Sequence, residues 1–575
     1  MSDMYLDFSA GTFKKEFIII PIGGVGEIGV NCTLYHYNGK WLMVDCGLGF
    51  AGDEFPGIDV MLPKPDFIDK IRDDLVGIVL THAHEDHIGA LQYLWEYMGF
   101  PPLYASEFTC FVLKSKFKEQ EIAESKMDLV RKLNSGEKIT LGDFSITPAN
   151  VTHSIPMSMI LFISCKVDEK ETIVCHTGDW RIEETPLIGE KTDEETIRKM
   201  AKNGIFAVVS DSTNVFNEQP LFSEIDLQQS LREIISSWKT GTIFIPTFAS
   251  NISRMYSVAL IAKSLGKKMV LAGRSLIRMY EVALKCGYLK EFEPFIFVED
   301  ASKYKREELI VLCTGCQGER FAVITAIAGK FHPYLDVFKD DLVIFSSKRI
   351  PGNEKKIDGV INQLIEKGVT VFTEKSHFVH VSGHPSREEM RWLYTTLNFP
   401  RLVIPVHGEI SHMSLHKEFV QDVSSEMASV LLKCGQVVSF NPKAKNKEEL
   451  IHILGDVESG YLAVDGKNLI ASDSIVIKDR KVMMENGLVV VLLFLNSNNR
   501  VARRPYILAP GLLDMAVQED VKIVSTLVTI VKDVVEDAFK NGVPSVIRPI
   551  AKHVAKFCKK ELGKVPKIVV HVENV

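Results

Sequence analysis

The segment THAHEDHIGA at residues 81–90 places three histidines and two acids within six positions. It follows the apolar run LVGIVL directly, so the cluster stands where a buried strand should end. His82 and His84, two residues apart in extended backbone, project to the same side and can bind one metal ion. Asp86 and His87 can face a second ion, and two ions about 3.5–4 Å apart commonly serve displacement at phosphorus. The segment predicts a two-metal site, and the competing interpretation is a solvated, charged turn.

Two ions need more ligands than one loop supplies, so a metal site predicts further His and Asp residues at strand ends. His153 follows the stretch ITPANVT, Asp179 follows TIVCHTG, and His407 follows RLVIPV. Asp45 ends the run KWLMVD in the same way, where a turn former would be the plain alternative. Any one of these residues alone is more often structural. Their repeated position at strand exits, together with the HxHxDH cluster, favours metal binding.

The elements around the cluster must hold these side chains in place. IGALQYLWEYMG at 88–99 predicts an amphipathic helix, so the histidines should lie in a strand-to-helix loop. Upstream, Gly24-x-Gly26-x-x-Gly29 matches a dinucleotide-binding fingerprint, which requires a helix after the glycines. CTLYHYNGKWLMVD instead predicts a hairpin around Asn38-Gly39. We therefore expect these glycines to turn the backbone tightly beside a site.

Length and composition bound the remaining possibilities. A chain of 575 residues is too long for one hydrophobic core, so two to four domains are expected. Hydrophobic residues at 46% and charged residues at 25% are typical of a globular protein. The longest apolar run, GLVVVLLFL, is far below the roughly 20 residues of a membrane helix. We expect a cytoplasmic protein without membrane association, and the ten scattered cysteines suit a reducing compartment.

The net charge of −7 provides no global attraction to nucleic acid, although local basic patches or bound metal ions can dominate at a site. Cys313 and Cys316 form a CxxC without a second pair or a thioredoxin-like context, and we interpret it as coincidence.

The strand-exit residues resemble the metal-site motifs of the metallo-β-lactamase superfamily, in the same order along the chain. The resemblance implies an αββα sandwich that binds two zinc ions per subunit. One ion would take His82, His84 and His153, and the other Asp86, His87 and His407, with Asp179 between them. Asp45 would orient ligands rather than bind metal. Manganese or magnesium could occupy or supplement these sites.

Further motifs resemble the β-CASP branch of the superfamily, specifically the bacterial ribonuclease J family. They are SDSTN at 210–214, FIPTFASNISRM at 244–255, AGRSL at 272–276, CTGCQGE at 313–319, IPGNE at 350–354, HVSGH at 380–384 and PVHGE at 405–409. The resemblance runs from about residue 17 to 440 and is weaker beyond. The chain departs from the family at Ala83 and Ala90, at Cys316, and in SSKRIPGNE, where a basic pair precedes the Pro-Gly turn.

The resemblance also implies roles in catalysis and substrate binding. Water held by two zinc ions has its pKa lowered toward neutrality and could attack a phosphodiester, leaving 5′-phosphate and 3′-hydroxyl ends. His384 would protonate the leaving oxygen, and Asp211 would orient it. In the same family pattern, His380, Ser382 and Gly383 would bind phosphate, and Arg274 and Ser275 would contact substrate. A hydrogen-bonded loop histidine and a surface arginine are the structural alternatives for His384 and Arg274.

The order of motifs predicts a discontinuous catalytic domain. We expect its segments at 1–213 and 346–440, with a β-CASP α/β domain inserted at 214–345. A lysine-rich linker at 441–458 would lead to a small C-terminal α/β domain at 459–575. The helix VKIVSTLVTIVKDVVEDAF in that last domain is expected to pack in its core, and a subunit contact is the alternative. Because family members assemble through this region, a homodimer or homotetramer is expected.

The leading functional hypothesis is a zinc-dependent ribonuclease with 5′-to-3′ exonuclease and endonuclease activity on single-stranded RNA, acting in RNA maturation and decay. Other RNA-decay proteins are possible partners. A hydrolase of a small thioester or lactone would share the metal core, but would not require the inserted domain or HVSGH. A β-CASP nuclease acting on DNA stays open, because 2′-hydroxyl contacts cannot be located in the sequence. A non-catalytic RNA-binding scaffold would predict lost ligands, whereas every ligand position is filled.

Overall fold

The computed structural model describes Leu6, Phe8, residues 13–219 and residues 222–575. These residues form two compact units. The first unit comprises the described residues up to Phe50 together with Met61–Tyr461, and the second comprises Ala51–Val60 and Leu462–Val575. The first unit contains every residue that the sequence analysis places at the site, so its elements are described in most detail.

The strands and helices are numbered in chain order. The first stretch contains β1 (Ile18–Gly23), β2 (Cys32–Tyr37), β3 (Lys40–Val44), β4 (Gly49–Phe50), β5 (Val60–Pro63), α1 (Asp66–Ile71), β6 (Leu75–Val79), α2 (Glu85–Ile88), α3 (Leu91–Leu94), β7 (Leu103–Ala105), α4 (Glu107–Glu119), β8 (Val130–Lys132), β9 (Ile139–Leu141), β10 (Phe144–Val151), β11 (Ser158–Val167), β12 (Lys170–His176), α5 (Glu194–Ala201) and β13 (Ala207–Asp211). The next stretch contains α6 (Glu224–Ser237), β14 (Ile243–Pro246), α7 (Ile252–Ser264), β15 (Lys268–Ala272), α8 (Arg274–Lys285), β16 (Ile296–Phe297), β17 (Leu309–Cys313), α9 (Val323–Ala328), β18 (Leu342–Ile344), α10 (Glu354–Glu366) and β19 (Thr370–Phe372). The last stretch contains α11 (Arg387–Thr396), β20 (Leu402–Val406), α12 (Ile410–Val423), β21 (Ala428–Ser429), β22 (Gln436–Phe440), β23 (Ile451–Asp456), β24 (Tyr461–Asp465), β25 (Asn468–Ala471), α13 (Ile475–Asn486), β26 (Leu488–Leu495), β27 (Tyr506–Leu508), α14 (Gln518–Lys540), α15 (Ile547–Leu562) and β28 (Lys567–Asn574).

Two mixed sheets face each other in the first unit. One has the order β23-β22-β1-β2-β3-β6-β7-β8, and the other β21-β20-β13-β12-β11-β10-β9. Their inner faces share one apolar core, to which Phe17 and Val44 contribute from the first sheet and Leu161 and Ile404 from the second. Helices cover the outer faces: α5, α11 and α12 pack on the second sheet, and α4 packs on β7 and β8 of the first. The predicted αββα sandwich is confirmed.

The predicted hairpin forms two neighbouring strands of the first sheet. β2 and β3 pair antiparallel with Tyr37 opposite Lys40. Asn38 and Gly39 between them adopt φ values of 51° and 74°, which a two-residue hairpin turn requires at both central positions. No helix follows the glycine-rich segment, so the dinucleotide-binding interpretation is wrong for the described residues.

The insert between β13 and α11 forms its own sheet, with the order β16-β15-β17-β14-β18-β19. All five pairings are parallel, and each buried strand connects to the next through a helix, which is the pattern of an α/β domain. The predicted strands TIFIPTFAS, KKMVLAG and ELIVLCTG correspond to β14, β15 and β17. The sheet includes β19, which lies beyond the predicted boundary at residue 345. The domain boundaries themselves stay a prediction.

In the second unit, β26 lies between β27 and β28, and the helices α14 and α15 pack on this sheet. Leu527, Val531 and Val535 of α14 are buried with Val489 and Val491 of β26, which confirms core packing for that helix. The 441–458 segment, predicted as a linker, contains β23, which pairs antiparallel with β22 of the first unit. No helix in the described part of the chain is both long and apolar enough to cross a membrane.

Candidate metal centre

The candidate ligands stand where neighbouring strands of both sheets end. β6 ends at Val79 and leads to His82, β10 ends at Val151 before His153, and β12 and β20 end just before Asp179 and His407. Sheet pairing places these exits at one edge of the sandwich. The second sheet brings β12, β13 and β20 side by side in parallel register, so their carboxyl ends meet. Residues far apart in sequence therefore converge.

The predicted helix after the histidine cluster is shorter than expected and begins earlier. Instead of one helix over 88–99, two single-turn helices form, α2 at Glu85–Ile88 and α3 at Leu91–Leu94. Only His82 and His84 lie in the loop, whereas Asp86 and His87 belong to the first turn of α2. This corrects the expectation that the whole cluster lies in the strand-to-helix loop. The helical start still leaves His87 close to the first pair, with its ring centroid 4.1 Å from that of His82.

The side chains fall into three overlapping groups that share Asp179, and the third consists of Asp179, Asp211, His384 and His407. The first group is His82, His84, His153 and Asp179, and the second is Asp86, His87, Asp179 and His407. Within each group, one ligand atom per residue lies within 4.8 Å of all the others. The first two groups are the sets that the sequence analysis assigned to two ions, with Asp179 in both.

The site fits divalent metal ions because its hydrogen bonds leave one buried carboxylate oxygen without a partner in the described part of the chain. Asp179 is 2% exposed, and its Oδ1 has no hydrogen-bond partner among the described residues. A buried carboxylate oxygen without a donor is costly unless a cation compensates it. The surrounding imidazoles and carboxylates are the donors that zinc prefers. The donor set and the unpaired oxygen together match what two ions would need.

The protonation of the histidines differs between the two groups. Burial lowers the pKa of His84 to about 4, and it lowers the pKa values of His82 and His153 well below the usual range. These three imidazoles are therefore neutral and can donate a lone pair to metal. Burial also opposes the charge of His407, but Asp179 and Asp86 outweigh it and raise its pKa to about 9. Metal binding to the second group would therefore release a proton.

Several candidate ligands have one ring nitrogen fixed by another group. His87 Nδ1 lies 2.7 Å from Asp45 Oδ2, and His153 Nδ1 lies 2.6 Å from the carbonyl oxygen of Gly383. The hydroxyl of Thr213 contacts His407 Nδ1. A hydrogen bond at Nδ1 leaves Nε2 free to face the centre, as in many histidine metal sites. Asp45 thus contacts a candidate ligand, as its expected orienting role requires.

Asp45 is held by the strand exit that precedes the histidine cluster. The backbone N–H and the hydroxyl of Thr81 both donate to its carboxylate at 2.8 Å. Asp45 itself adopts φ 59°, and His407 adopts φ 52°. Left-handed backbone at non-glycine residues costs of order 1–3 kcal/mol and persists where the surroundings enforce it. At this site the strained backbone aims both side chains into the cluster.

His384 and Asp211 form a pair beside the two ligand groups. His384 Nδ1 lies 2.8 Å from Asp211 Oδ2 and 3.8 Å from Asp179 Oδ2. Burial opposes protonation, yet Asp211 and Asp179 raise the pKa of His384 above its usual value. Asp211 is fully buried and accepts a second hydrogen bond from the backbone N–H of Thr213 at 2.8 Å. The arrangement suits a histidine that holds a proton and donates it.

The HVSGH segment lies against the same cluster. Ser382 Oγ accepts from the backbone N–H of His384 at 3.2 Å, and the Gly383 carbonyl contacts His153. A Cβ added at Gly383 would lie 2.7 Å from the ring of His153, so this close approach requires glycine. His380 Nδ1 is a buried ring nitrogen with no hydrogen-bond partner in the described residues. A ligand that offers hydrogen bonds would satisfy it.

Arg274 and Ser275 lie apart from these contacts. Both open α8 after β15, where Arg274 is exposed and Ser275 is half-buried. No hydrogen bond in the described residues joins either side chain to the His/Asp cluster. The structure therefore brings together all the other predicted site residues, and the substrate contacts of these two stay a prediction.

Some supporting residues were absent from the sequence analysis. Asn31 donates from Nδ2 to the backbone carbonyl of Asp86 at 3.1 Å, and the same Nδ2 lies 3.0 Å from His87 Nε2. Arg181, two residues after Asp179, donates to the Ser382 carbonyl at 3.0 Å. The adjacency of Arg181 to a predicted ligand was the available signal. For Asn31 there was none, because its contact to α2 spans 55 positions of sequence.

Four family models match the chain. They are described as "Metallo-beta-lactamase superfamily" at residues 25–165, "Ribonuclease J, beta-CASP domain" at 240–364, "Zn-dependent metallo-hydrolase RNA specificity domain" at 368–424, and "Ribonuclease J C-terminal domain" at 475–575. The matches follow one another along the chain in the order that the sequence motifs predict.

Curated relatives match over almost the full length. "Ribonuclease J" of Sinorhizobium meliloti is 34% identical over 547 residues, which cover 94% of this chain and 92% of the relative. "Ribonuclease J" of Thermus thermophilus is 30% identical over 98% of this chain and 96% of its own. "Ribonuclease J2" of Bacillus subtilis is 30% identical over 90% and 91%, respectively.

Proposed function

This chain belongs to the ribonuclease J family of the metallo-β-lactamase superfamily, and on that premise we propose that it is a zinc-dependent ribonuclease acting on single-stranded RNA. The proposed activities are 5′-to-3′ exonuclease and endonuclease cleavage that leave 5′-phosphate and 3′-hydroxyl ends. The observation that carries the proposal is the pair His384–Asp211, joined at 2.8 Å beside two His/Asp groups that share Asp179.

The first group would hold one zinc ion and the second group the other, with Asp179 contributing to both. Ions bound there would lower the pKa of water and polarise a phosphate oxygen. The chain's own residues do the rest. Asp45 and Thr213 fix the rings of His87 and His407 through their Nδ1 atoms, so that each Nε2 faces the centre.

His384 would supply the proton to the leaving 3′-oxygen. Its Nδ1 bonds to Asp211, which fixes the ring and favours its charged form, and the side chain is 22% exposed. A group that is partly accessible on one side and held by a buried carboxylate on the other can reach substrate while keeping its orientation. The His380–Gly383 segment would hold a phosphate next to it, because its backbone is anchored on His153 and Arg181.

The alternative of a small thioester or lactone substrate is disfavoured by the insert. The six-stranded sheet and the HVSGH segment add a second set of residues to the site, including Arg254, whose guanidinium contacts the Val379 carbonyl. A small substrate needs no such addition. A DNA substrate is distinguished from RNA only by experiment.

The test assays purified protein on 5′-monophosphorylated and 5′-triphosphorylated single-stranded RNA beside matched DNA, with and without a chelator. We expect RNA cleavage that a chelator abolishes and added zinc restores, because both ligand groups need an ion to offset their carboxylates. Replacing Asp86 and His87 by alanine should remove bound metal and cleavage together. Metal content is measured by elemental analysis of the same samples.

RNA cleavage that persists in the Asp86→Ala/His87→Ala protein would contradict the proposal, as would hydrolysis of thioesters or lactones in place of RNA. Replacing His571, an exposed histidine of β28, by alanine is the matched control, and it should leave metal content unchanged.

We further propose a homodimer or homotetramer that works in the cytoplasm in RNA maturation and decay, alongside other RNA-decay proteins.

A further inference from the structure

The basic pair of SSKRIPGNE lies directly after β18, and its two members have different partners. Arg349 Nη1 lies 2.7 Å from Asp358 Oδ1, so its charge is paired. Lys348 Nζ donates to the neutral Oδ1 of Asn214 at 3.3 Å. Within the part of the chain that the structure describes, no carboxylate oxygen lies within 4.0 Å of Lys348 Nζ. Lys348 is exposed, and its ammonium group has no ion-pair partner among the described residues.

Lys348 is close to the proposed proton donor. Asn214, which accepts from Lys348, donates from Nδ2 to the backbone carbonyl of His384 at 3.3 Å. The backbone at Lys348 is also fixed, since Gln317 donates to the Lys348 carbonyl at 2.9 Å and accepts from the N–H of Ile350 at 2.9 Å. Lys348 is therefore an exposed residue whose backbone is fixed at the site.

Four cationic groups lower the pKa of His380, and three of them are already paired. Burial first, and then Arg254, Lys348 and Arg181, lower the pKa of His380 well below its usual value. Among these, Arg254 is 2.9 Å from Glu224 and Arg181 is 3.3 Å from Glu183. His384 is the fourth group and is 2.8 Å from Asp211, so Lys348 is the one of the four without an ion-pair partner among the described residues. Its unpaired charge lies beside the unpartnered ring nitrogen of His380, and an anion would satisfy both.

We propose that Lys348 binds a phosphate group of the RNA substrate and thereby makes this site select for a negatively charged ligand. The inference rests on the proposed ribonuclease function and deepens it. The phosphate is either the 5′-terminal one or an internal phosphodiester, and both offer the same negative oxygens to the ammonium group. The family resemblance assigns phosphate binding to His380, Ser382 and Gly383, and the basic pair is a departure of this chain.

The test compares binding of 3′-labelled single-stranded RNA in a His384→Ala background, with and without Lys348→Gln, across a series of salt concentrations. A lysine–phosphate contact to a single strand contributes about 0.7 to the salt slope, so its loss should weaken binding roughly fivefold at 0.1 M salt. The slope should fall by the same amount, about 0.7. In the otherwise unchanged enzyme, Lys348→Gln should raise KM more than it lowers kcat.

Arg349→Gln is the matched control, because it removes the neighbouring positive charge, which is already paired with Asp358. It should leave the salt slope unchanged, and Lys348→Arg should restore binding. RNAs with a 5′-monophosphate and a 5′-hydroxyl identify the phosphate. An effect of Lys348→Gln on the first RNA alone assigns the terminal phosphate, and an equal effect on both assigns a phosphodiester.

An unchanged slope in Lys348→Gln, or an equal loss in Arg349→Gln, would overturn the inference. Thermal unfolding and metal content of each variant separate a binding effect from a folding defect. The proposed function is judged independently, by whether the unmodified enzyme cleaves RNA. A protein that binds RNA through Lys348 but cleaves none would overturn the function and leave this inference standing.

Discussion

At the scale of single residues, the candidate metal centre depends on which group each of the two ring nitrogens of a histidine contacts. Asp45, Thr213 and the Gly383 carbonyl each occupy one ring nitrogen of a candidate ligand, and the other nitrogen faces the cluster. His384 follows the same pattern, because its Nδ1 is hydrogen-bonded to Asp211. A side chain with one nitrogen fixed has a defined tautomer and ring orientation before any ion or substrate binds.

Asp211→Asn is expected to move the alkaline limb of the pH profile of kcat/KM to lower pH. Asp211 raises the pKa of His384, and a general acid must hold its proton to work. Without the carboxylate of Asp211, His384 would lose its proton at a lower pH. The profile is measured on RNA with saturating zinc, and metal content is checked in parallel. Asp143→Asn removes an exposed carboxylate elsewhere and should leave the limb in place. A lower rate with an unmoved limb would show that Asp211 does not set the pKa of His384.

The metal-ligand candidates could be predicted from the sequence because each follows an apolar strand, and strand ends in a sandwich meet at one edge. Among the residues that orient them, Asp45 was expected from the family resemblance. Thr81 stands beside His82 in sequence, but its two hydrogen bonds to Asp45 form only in the folded chain. Asn31 could not be predicted, because its contact to α2 also exists only after folding.

At the scale of elements, α2 is positioned by the loop after β3. The backbone N–H of Cys46 donates to the His87 carbonyl at 2.8 Å, and the N–H of Leu48 donates to the Glu85 carbonyl at 3.0 Å. Gly47 lies between them, and a Cβ there would come within 1.6 Å of the Asp86 carbonyl oxygen. The backbone of this loop therefore touches the helix that carries Asp86 and His87.

Gly47→Ala is expected to destabilise the protein by about 1–3 kcal/mol, because the added methyl group must displace α2. Metal content should fall with it, since α2 carries two candidate ligands. Denaturant unfolding and elemental analysis measure the two effects. Gly359→Ala is the control: Gly359 lies in α10 with nothing within 4 Å of an added Cβ, so alanine should stabilise that helix by roughly 0.5–1 kcal/mol. Equal effects at both positions would refute the steric explanation.

The predicted helix at 88–99 was too long because its apolar spacing continues through a break in the helical hydrogen bonds, where the N–H of Ala90 donates to the carbonyl of Cys46 at 3.1 Å. α2 and α3 are separate turns, with Gly89 and Ala90 between them. Gly89 packs against Leu48, and a Cβ there would lie 2.5 Å from that side chain. This tertiary contact is invisible to a periodicity argument, which registers only that Ile88, Leu91 and Leu94 are apolar and buried.

At the scale of the whole molecule, the second unit offers a long strand at the edge of its sheet. In the second unit, β28 is an edge strand of eight residues beside β26, with Val569 exposed by 43%. An exposed edge strand is a surface that a second copy can cover.

The three α/β parts of the chain were predictable from alternating strand and helix patterns. The extension of the inserted sheet to β19 was not, because a three-residue strand has too little pattern to assign to one sheet or another.

We expect the purified protein to be a homodimer or homotetramer in light scattering after size exclusion. Val569→Lys should shift it to a smaller species, because burying an unpaired lysine in an interface is costly. Val521→Lys, on α14 at 40% exposure, is the matched control and should not change the mass. A monomer for the unmodified chain would contradict the expectation, and an unshifted Val569→Lys oligomer would place the interface elsewhere.

The second ligand group is completed by a residue that follows the inserted domain in sequence. His82 through Asp179 come early in the chain, but His407 follows the insert, and so does His384. A ribosome making this protein therefore synthesises the whole insert before either residue exists. The growing polypeptide therefore cannot form the His384–Asp211 pair before residue 384 is made, or complete the second ligand group before residue 407 is made.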